Sequence, residues 1–474
     1  MVNLAQPNYK GLLIQKSGYL FLGKALPVVI LFLITIIYSR RLSYDDYGTF
    51  QSIWMYANIV NVIISFGLSA VILSTNLSFL FSYLKQNKKI IVPFYLVLSI
   101  LVLTLFFCFA KNFNTPIKFL LIVFIITQNI ITVTETLLIK QGGEKKALAI
   151  NFFYAVLFFG WHLYILFTHY SLEYLIIGVS IISIIKLLAT IFYIDINVEK
   201  GMVTEKKGFL KHWAYLGVNE ILGIISKWLD KIFLLYLLTS ADFAVFFNGS
   251  FEIPLFGLLI SVTGSFLLIE ISGNTQLKDK IAALFKENFN MLSSIVFPLF
   301  FFLFFYREDI FYLIFKNKYS ASIPIFIISI FVLPVRINNY SVILQCFAQG
   351  KKIMWGSVLD ILIAIVLMLT FYPYMGTKGI ALAIVIATWC QVIFYLWHSA
   401  LALNISIIQL VPLKKLVVKF LILLAIYLPL SLLLENSTVI RNLIIGSIVT
   451  TIAIAAGMWG YFKSFFNTNY GVGP

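Results

Sequence analysis

The sequence predicts an all-α polytopic membrane protein of about fourteen transmembrane helices, with two pseudo-symmetric six-helix lobes around a central cavity and two further helices at the C-terminus. Three observations predict it. Of 474 residues, 61% are hydrophobic and only 11% charged, whereas soluble domains carry about a quarter charged residues. Apolar runs of roughly twenty residues, each long enough to cross about 30 Å of hydrocarbon, recur from Ser17 to Phe462. The two halves of the chain also resemble each other.

Taken in order, spans are expected at about 17–38, 47–74, 90–110, 117–139, 148–168 and 174–194, then at about 213–238, 243–270, 289–306, 323–349, 354–373 and 379–398, and finally near 416–435 and 442–463. The first run has no small-residue cleavage site and passes directly into the charged turn Ser39-Arg40-Arg41, so it is expected to be retained rather than removed as a signal peptide. Cys108, Cys346 and Cys390 all lie inside apolar runs and read as small packing residues. His162, His169, His212 and His398 show no metal-binding spacing. No metal and no cofactor are expected.

The net charge of +16 is spread over short loops instead of forming one basic domain, which speaks for membrane orientation and against nucleic acid. One set of alternate loops carries Lys85, Lys88, Lys89, Lys140, Lys145, Lys146, Lys200, Lys206, Lys207, Lys351, Lys352, Lys414, Lys415 and Lys419, among others. The opposite set carries only Arg40, Arg41, Lys111, Lys118, Arg307, Lys316, Lys318, Lys378 and Arg441. Positive loops stay in the cytoplasm, so both termini are expected there and the number of spans should be even.

Sliding the chain by 196 residues sets Gly18-Tyr19-Leu20 on Ala214-Tyr215-Leu216, and Leu42-Ser43-Tyr44-Asp45-Asp46-Tyr47-Gly48 on Leu238-Thr239-Ser240-Ala241-Asp242-Phe243-Ala244. A shift of 206 sets Lys145-Lys146 on Lys351-Lys352. Repeats of six spans keep one orientation and relate by an axis along the membrane normal. The expected organisation is therefore an N-terminal lobe over 1–195, a cytoplasmic linker over 196–212, a second lobe over 213–400, and two added helices with a short tail over 401–474. The linker carries Lys200, Lys206, Lys207 and Lys211 beside Glu199 and Glu205.

The turn Ser39-Arg40-Arg41-Leu42-Ser43-Tyr44-Asp45-Asp46-Tyr47-Gly48-Thr49-Phe50 resembles the first external turn of polysaccharide repeat-unit flippases of the O-antigen and capsule type, within the multidrug/oligosaccharidyl-lipid/polysaccharide exporter superfamily. The likeness continues through Lys227-Trp228-Leu229-Asp230-Lys231, Gln349-Gly350-Lys351-Lys352 and Gly376-Thr377-Lys378-Gly379-Ile380-Ala381, and so covers nearly the whole chain. It implies translocation of an undecaprenyl-diphosphate-linked oligosaccharide across a bacterial inner membrane by alternating access, without covalent chemistry or cofactor. It also implies membrane lipids, a coupling cation or proton, and polysaccharide polymerase and glycosyltransferases as partners. That family shares no single set of substrate contacts, so candidate sites rest on local physics.

A charge at the bilayer centre costs roughly 2.5 to 3.5 kcal/mol on insertion scales and needs a partner or a wet cavity. Candidates inside the spans are Lys24, Lys186, Lys227, Lys231 and Arg336 on one side, and Glu135, Glu220, Asp230, Glu252 and Asp360 on the other. At 100° per residue, Glu220, Lys227 and Lys231 fall within about 40° of one another, with Asp230 flanking them. That stripe suits a cavity or a lobe interface, unless Lys227 and Asp230 merely satisfy each other. Lys186, Lys227 and Arg336 lie near mid-span and are expected, with Lys231, to capture a diphosphate.

Glu135 and Asp360 lie near span ends within reach of loop lysines and read as structural. Glu252, two residues before Pro254, sits where a proline frees a backbone carbonyl, so a proton or cation role competes with a buried ion pair. Lys24 and Glu220 occupy equivalent repeat positions with opposite charge and are expected either to latch an inner gate or to be neutralised each within its own lobe. Two other functions compete. A cation-coupled drug antiporter of the same superfamily usually has twelve spans and an acidic site in its first lobe. A membrane glycosyltransferase or polymerase would use Asp45 and Asp46, but it normally needs a large outer loop, and these residues suit the start of a helix.

Overall fold

The computed structural model describes residues 9–168, 171–195, 209–250, 278–347, 349–435 and 437–470, with the short stretches 256–257, 259–260, 263–264 and 267–268. All regular structure among them is helical, and helix occupies part of every expected span. Lipid offers the backbone no hydrogen-bond partners, so the apolar runs satisfy their own N–H and C=O groups as helices.

The N-terminal half runs through α1 (Tyr9–Arg41), α2 (Tyr44–Ser65), α3 (Leu68–Ser74), α4 (Leu77–Gln86), α5 (Lys88–Phe109), α6 (Thr115–Lys140), α7 (Glu144–Phe167) and α8 (Leu172–Phe192). The turn from α1 to α2 is closed by Ser43, whose Oγ accepts from the Asp46 N–H at 3.0 Å and donates to Asp46 Oδ2 at 2.7 Å. Asp45 and Asp46 thus sit in the first turn of α2, where the helix dipole favours negative charge.

Then come α9 (Phe209–Leu235), α10 (Ser240–Gly249), α11 (Lys278–Phe305), α12 (Arg307–Phe315), α13 (Ile323–Ser329), α14 (Val342–Cys346), α15 (Gly350–Met375), α16 (Thr377–Leu403), α17 (Ile407–Leu410), α18 (Leu413–Leu433) and α19 (Val439–Tyr470). The chain divides into two compact units, one of Met1–Trp228 with Thr239–Ala241 and one of Leu229–Leu238 with Asp242–Pro474. In the first, α1 packs on α7, and α6 on α8 and α2. In the second, α15 packs on α16, while α18 and α19 lie along α11. Ala381, Ala383 and Ala387 of α16 sit in the second unit's core with Met368 and Ala364 of α15, and these small residues let the two backbones approach closely.

Nine of the described helices are long and apolar enough to cross a membrane, or ten if the bent pair α2–α3 is one span. The apolar core of α5 has a mean hydropathy of 2.7, yet only 11% of it is buried inside the protein, against 61% for α11. Ile90, Val97 and Ile100 are each more than 60% exposed, so their solvent is hydrocarbon. The chain is a multi-pass membrane protein.

The structure departs from the sequence reading in three ways. The second expected span is broken, because α2 and α3 meet at 54° around Phe66 (φ 40°) and Gly67 (φ 73°). The tenth, expected as one helix over 323–349, is also broken. It holds α13, a single 3₁₀ turn at Ile330–Val332, an irregular stretch and then α14. Short helices α4 and α12 occupy stretches expected to be loops. The linker ahead of α9, and Glu252 with Pro254, lie outside the described residues.

Candidate functional site

The first unit has a polar seam built from facing helices. Glu135 of α6 receives the Lys186 ammonium of α8 at 2.9 Å on one carboxylate oxygen and the Asn151 amide of α7 at 2.7 Å on the other. The ammonium also lies 4.7 Å from the centre of the Tyr154 ring. Two turns away along α6, Gln128 donates to Ser183 Oγ at 2.8 Å and Tyr154 OH at 3.3 Å. Asn129 donates to Asn61 Oδ1 of α2 at 2.9 Å and to Ser65 Oγ at 3.2 Å. The ionic side chains are only 9% and 18% exposed, a depth at which either alone would carry an uncompensated charge. As a pair, with the amide and the ring, they form a neutral, largely satisfied cluster.

The break in the second span is held by α5 and α9. Ser65 O accepts from Tyr95 OH at 3.1 Å, and Phe66 O accepts from Trp213 Nε1 at 3.0 Å. The Glu220 carboxylate lies near the Gly67 backbone. Backbone groups freed by the bend thus find side-chain partners, the condition for a helix to break at membrane depth. A Cβ on Gly67 would lie 2.6 Å from the Gly217 nitrogen, so α9 touches the break backbone to backbone.

In the second unit, Lys231 Nζ lies 2.9 Å from Asp230 Oδ2, both residues buried, and 5.8 Å from the Phe247 ring centre. The break in the tenth span begins with the 3₁₀ turn at Ile330–Val332, just ahead of Pro334, which has no N–H to donate to the Ile330 carbonyl and so cannot continue the helical ladder. Asn338 fastens it to α11: its Oδ1 accepts from Asn288 Nδ2 at 2.6 Å and its Nδ2 donates to Phe285 O at 3.3 Å. Tyr340 OH donates to Val335 O. Arg336 stands half-buried within this irregular backbone, between two half-helices. Such discontinuous helices, with unwound backbone, are where transporters of other folds place charged ligands.

The structure therefore places the expected site residues differently from one another. Lys186 faces Glu135, whose partner had been sought among loop lysines. Asp230 is held by Lys231 and not by Lys227. Lys227 itself is exposed, with its ammonium 5.7 Å from the Trp228 ring centre. Arg336 lies in a break rather than on a helix face. Glu220 sits beside Gly67, while the Lys24 side chain and Glu252 lie outside the described ones. Sequence reading did not single out Gln128, Asn129, Asn151 and Asn338, although adjacent amides inside runs of Ile and Leu are a readable signal of a buried polar seam.

No protein-family model and no curated protein matches the chain. Solved structures do. The chain is similar to the lipid II flippase MurJ in its inward closed conformation, with a TM-score of 0.66 at 15% identity over 95% of this chain and 100% of that one. It is similar to a MOP-superfamily transporter from Pyrococcus furiosus, with a TM-score of 0.55 at 12% identity over 82% of this chain and 95% of that one. An inward-facing multidrug resistance MATE transporter matches with a TM-score of 0.52 at 14% identity over 81% of this chain and 98% of that one. The chain has the fold of these transporters, two helical lobes included.

Proposed function

We propose that the protein is a flippase that carries undecaprenyl-diphosphate-linked oligosaccharide repeat units from the cytoplasmic to the outer leaflet of a bacterial inner membrane, both termini being cytoplasmic. The observation that carries this reading is whole-length likeness to a lipid II flippase. That fold accounts for 95% of the chain, including length that the MATE match, at 81%, leaves over. The lobes 1–195 and 213–400 alternate access, and the helices of 401–474 belong to the flippase form of the fold. The products feed a polymerase, and glycosyltransferases supply the substrate.

Head-group capture falls to Arg336 and Lys227. Arg336 offers a donor fork from irregular backbone, and Lys227 presents an exposed ammonium on a transmembrane helix. Lys186 and Lys231 assist only where their carboxylate partners are displaced. Arg336→Ala and Lys227→Ala are expected to reduce translocation of the lipid-linked glycan in a strain lacking its own flippase, without a matching fall in protein level, and Arg336→Lys should rescue in part. Full restoration of surface polysaccharide by both alanine variants at normal protein level would overturn the head-group role. A cation-coupled antiporter is the second reading, favoured by the MATE likeness, and would show as drug resistance with no effect on surface glycan.

A further inference from the structure

A cavity of about 770 Å³ opens between α6, α7 and α8 of the first unit, with Lys186 in its wall. Its walls have two chemistries. At the loop end stand Lys145 and Lys146 in the first turn of α7, with Tyr193 and Asp195 just after α8. The Lys146 ammonium lies 4.9 Å from the Tyr193 ring centre. Farther along, the trough is apolar, floored by Ala149 and Ala189 and flanked by Phe153, Leu157 and Ile185. Those three large residues are 66%, 48% and 50% exposed, so the trough opens sideways into hydrocarbon.

The groove is held in shape. Gln141, in the α6–α7 turn, donates from Nε2 to Asp195 O at 2.7 Å and accepts from the Asp195 N–H at 3.1 Å on Oε1. This two-bond clasp pins the end of α8 to the turn. Alanine at 149 and 189 leaves room between helices that larger residues would fill. Of the cationic groups on the walls, Lys186 is neutralised by Glu135, whereas Lys145 and Lys146 are exposed, and Asp195 is the acidic side chain of the lining. The polar end of the groove is therefore net positive and lies at the ends of α6, α7 and α8.

We infer that this groove is a binding site for an anionic glycerophospholipid of the leaflet on the lysine-rich side, with its phosphate on Lys145 and Lys146 and one acyl chain in the trough along Phe153 and Leu157. From Lys146 to Leu157 along α7 is about 16 Å at 1.5 Å per residue, the reach of an upper acyl chain below its headgroup. Basic pockets between helices recognise acidic headgroups in this way. The site lies within one unit. Its occupant would fill the gap between α7 and α8 and fasten them at the loop end.

Native mass spectrometry of the full-length protein, purified and titrated with phosphatidylglycerol or phosphatidylethanolamine, tests the assignment. Wild type should retain the anionic lipid at least about fivefold better than the zwitterionic one. Lys145→Gln with Lys146→Gln should abolish that preference. Ala189→Phe, which keeps both lysines but fills the trough, should lower retention of either lipid. Lys351→Gln with Lys352→Gln, the corresponding pair of the repeat, should leave both unchanged. Equal retention of the two lipids by wild type, an equal loss in the 351/352 variant, or unchanged retention in both groove variants would overturn the proposal. So would displacement of phosphatidylglycerol by undecaprenyl diphosphate from wild type but not from the 145/146 variant, since the groove would then belong to the transported lipid.

Discussion

Lys186 and Glu135 lie 51 positions apart on helices that meet only in the fold, so sequence could place each charge in the membrane but not show that they pair. What was legible was the cost: a charge at that depth demands a partner. The pair makes a testable split between structure and transport. Removing one member strands the other and should destabilise by about 3 to 5 kcal/mol. Lys186→Met and Glu135→Gln are each expected to lower the melting temperature in detergent, whereas the double replacement should recover most of the loss. If Lys186 also captures head groups, the double variant will be stable yet inactive. A stable, fully active double variant would confine this lysine to structure. Glu220 poses the same question at the break of the second span. Glu220→Gln keeps the size and polarity of the side chain beside Gly67 and should transport nearly as wild type if that packing is its role, whereas a gate with Lys24 demands the charge.

Helices were legible as elements wherever twenty apolar residues ran together, and the short α4 and α12 were not, because apolar stretches of ten residues or fewer are too short to read as spans. The breaks were harder to foresee. A run such as Asn58 to Leu73 is apolar enough for one straight helix, and the bend at Phe66-Gly67 is held by partners distant in sequence, Tyr95 of α5 with Trp213 and Gly217 of α9. Gly67→Ala is expected to destabilise strongly. The φ of 73° costs a side chain about 1 to 2 kcal/mol, and the new methyl would collide with the Gly217 backbone. Ala at the neighbouring Leu68 should be mild, and equal effects at 67 and 68 would show that the bend is not specified there. In the C-terminal part, Lys419 had been counted with the loop lysines. Instead its ammonium donates to Asn290 O at 2.6 Å, Ser294 Oγ at 2.8 Å and Ser293 Oγ at 3.1 Å, tying α18 to α11. Lys419→Met should cost about 1.5 to 3 kcal/mol, the worth of charge-assisted hydrogen bonds, read as a lower thermal midpoint.

For the molecule as a whole, orientation follows from where lysines sit between helices. Lys145-Lys146 opens α7 and Lys351-Lys352 opens α15, and the intervening stretch holds six expected spans, an even number, so both pairs should face the same side. Lys111 precedes α6 and Lys378 opens α16, each one span away from such a pair and therefore on the opposite side. Lysine-rich loops resist translocation, which assigns the first two to the cytoplasm. With Cys108, Cys346 and Cys390 replaced by alanine, single cysteines at 145 and 351 should react with a membrane-impermeant maleimide only after the cells are opened, while cysteines at 111 and 378 should react in intact cells. The arrangement is sensitive to one error in the span count. If the broken tenth span, with its half-helices α13 and α14, re-entered the membrane and returned instead of crossing, position 351 would be labelled in intact cells while 145 stayed protected. Spans seven to nine would still run parallel to spans one to three, but the spans after the tenth would be reversed against their counterparts, and the equivalence of Lys145-Lys146 with Lys351-Lys352 would fall.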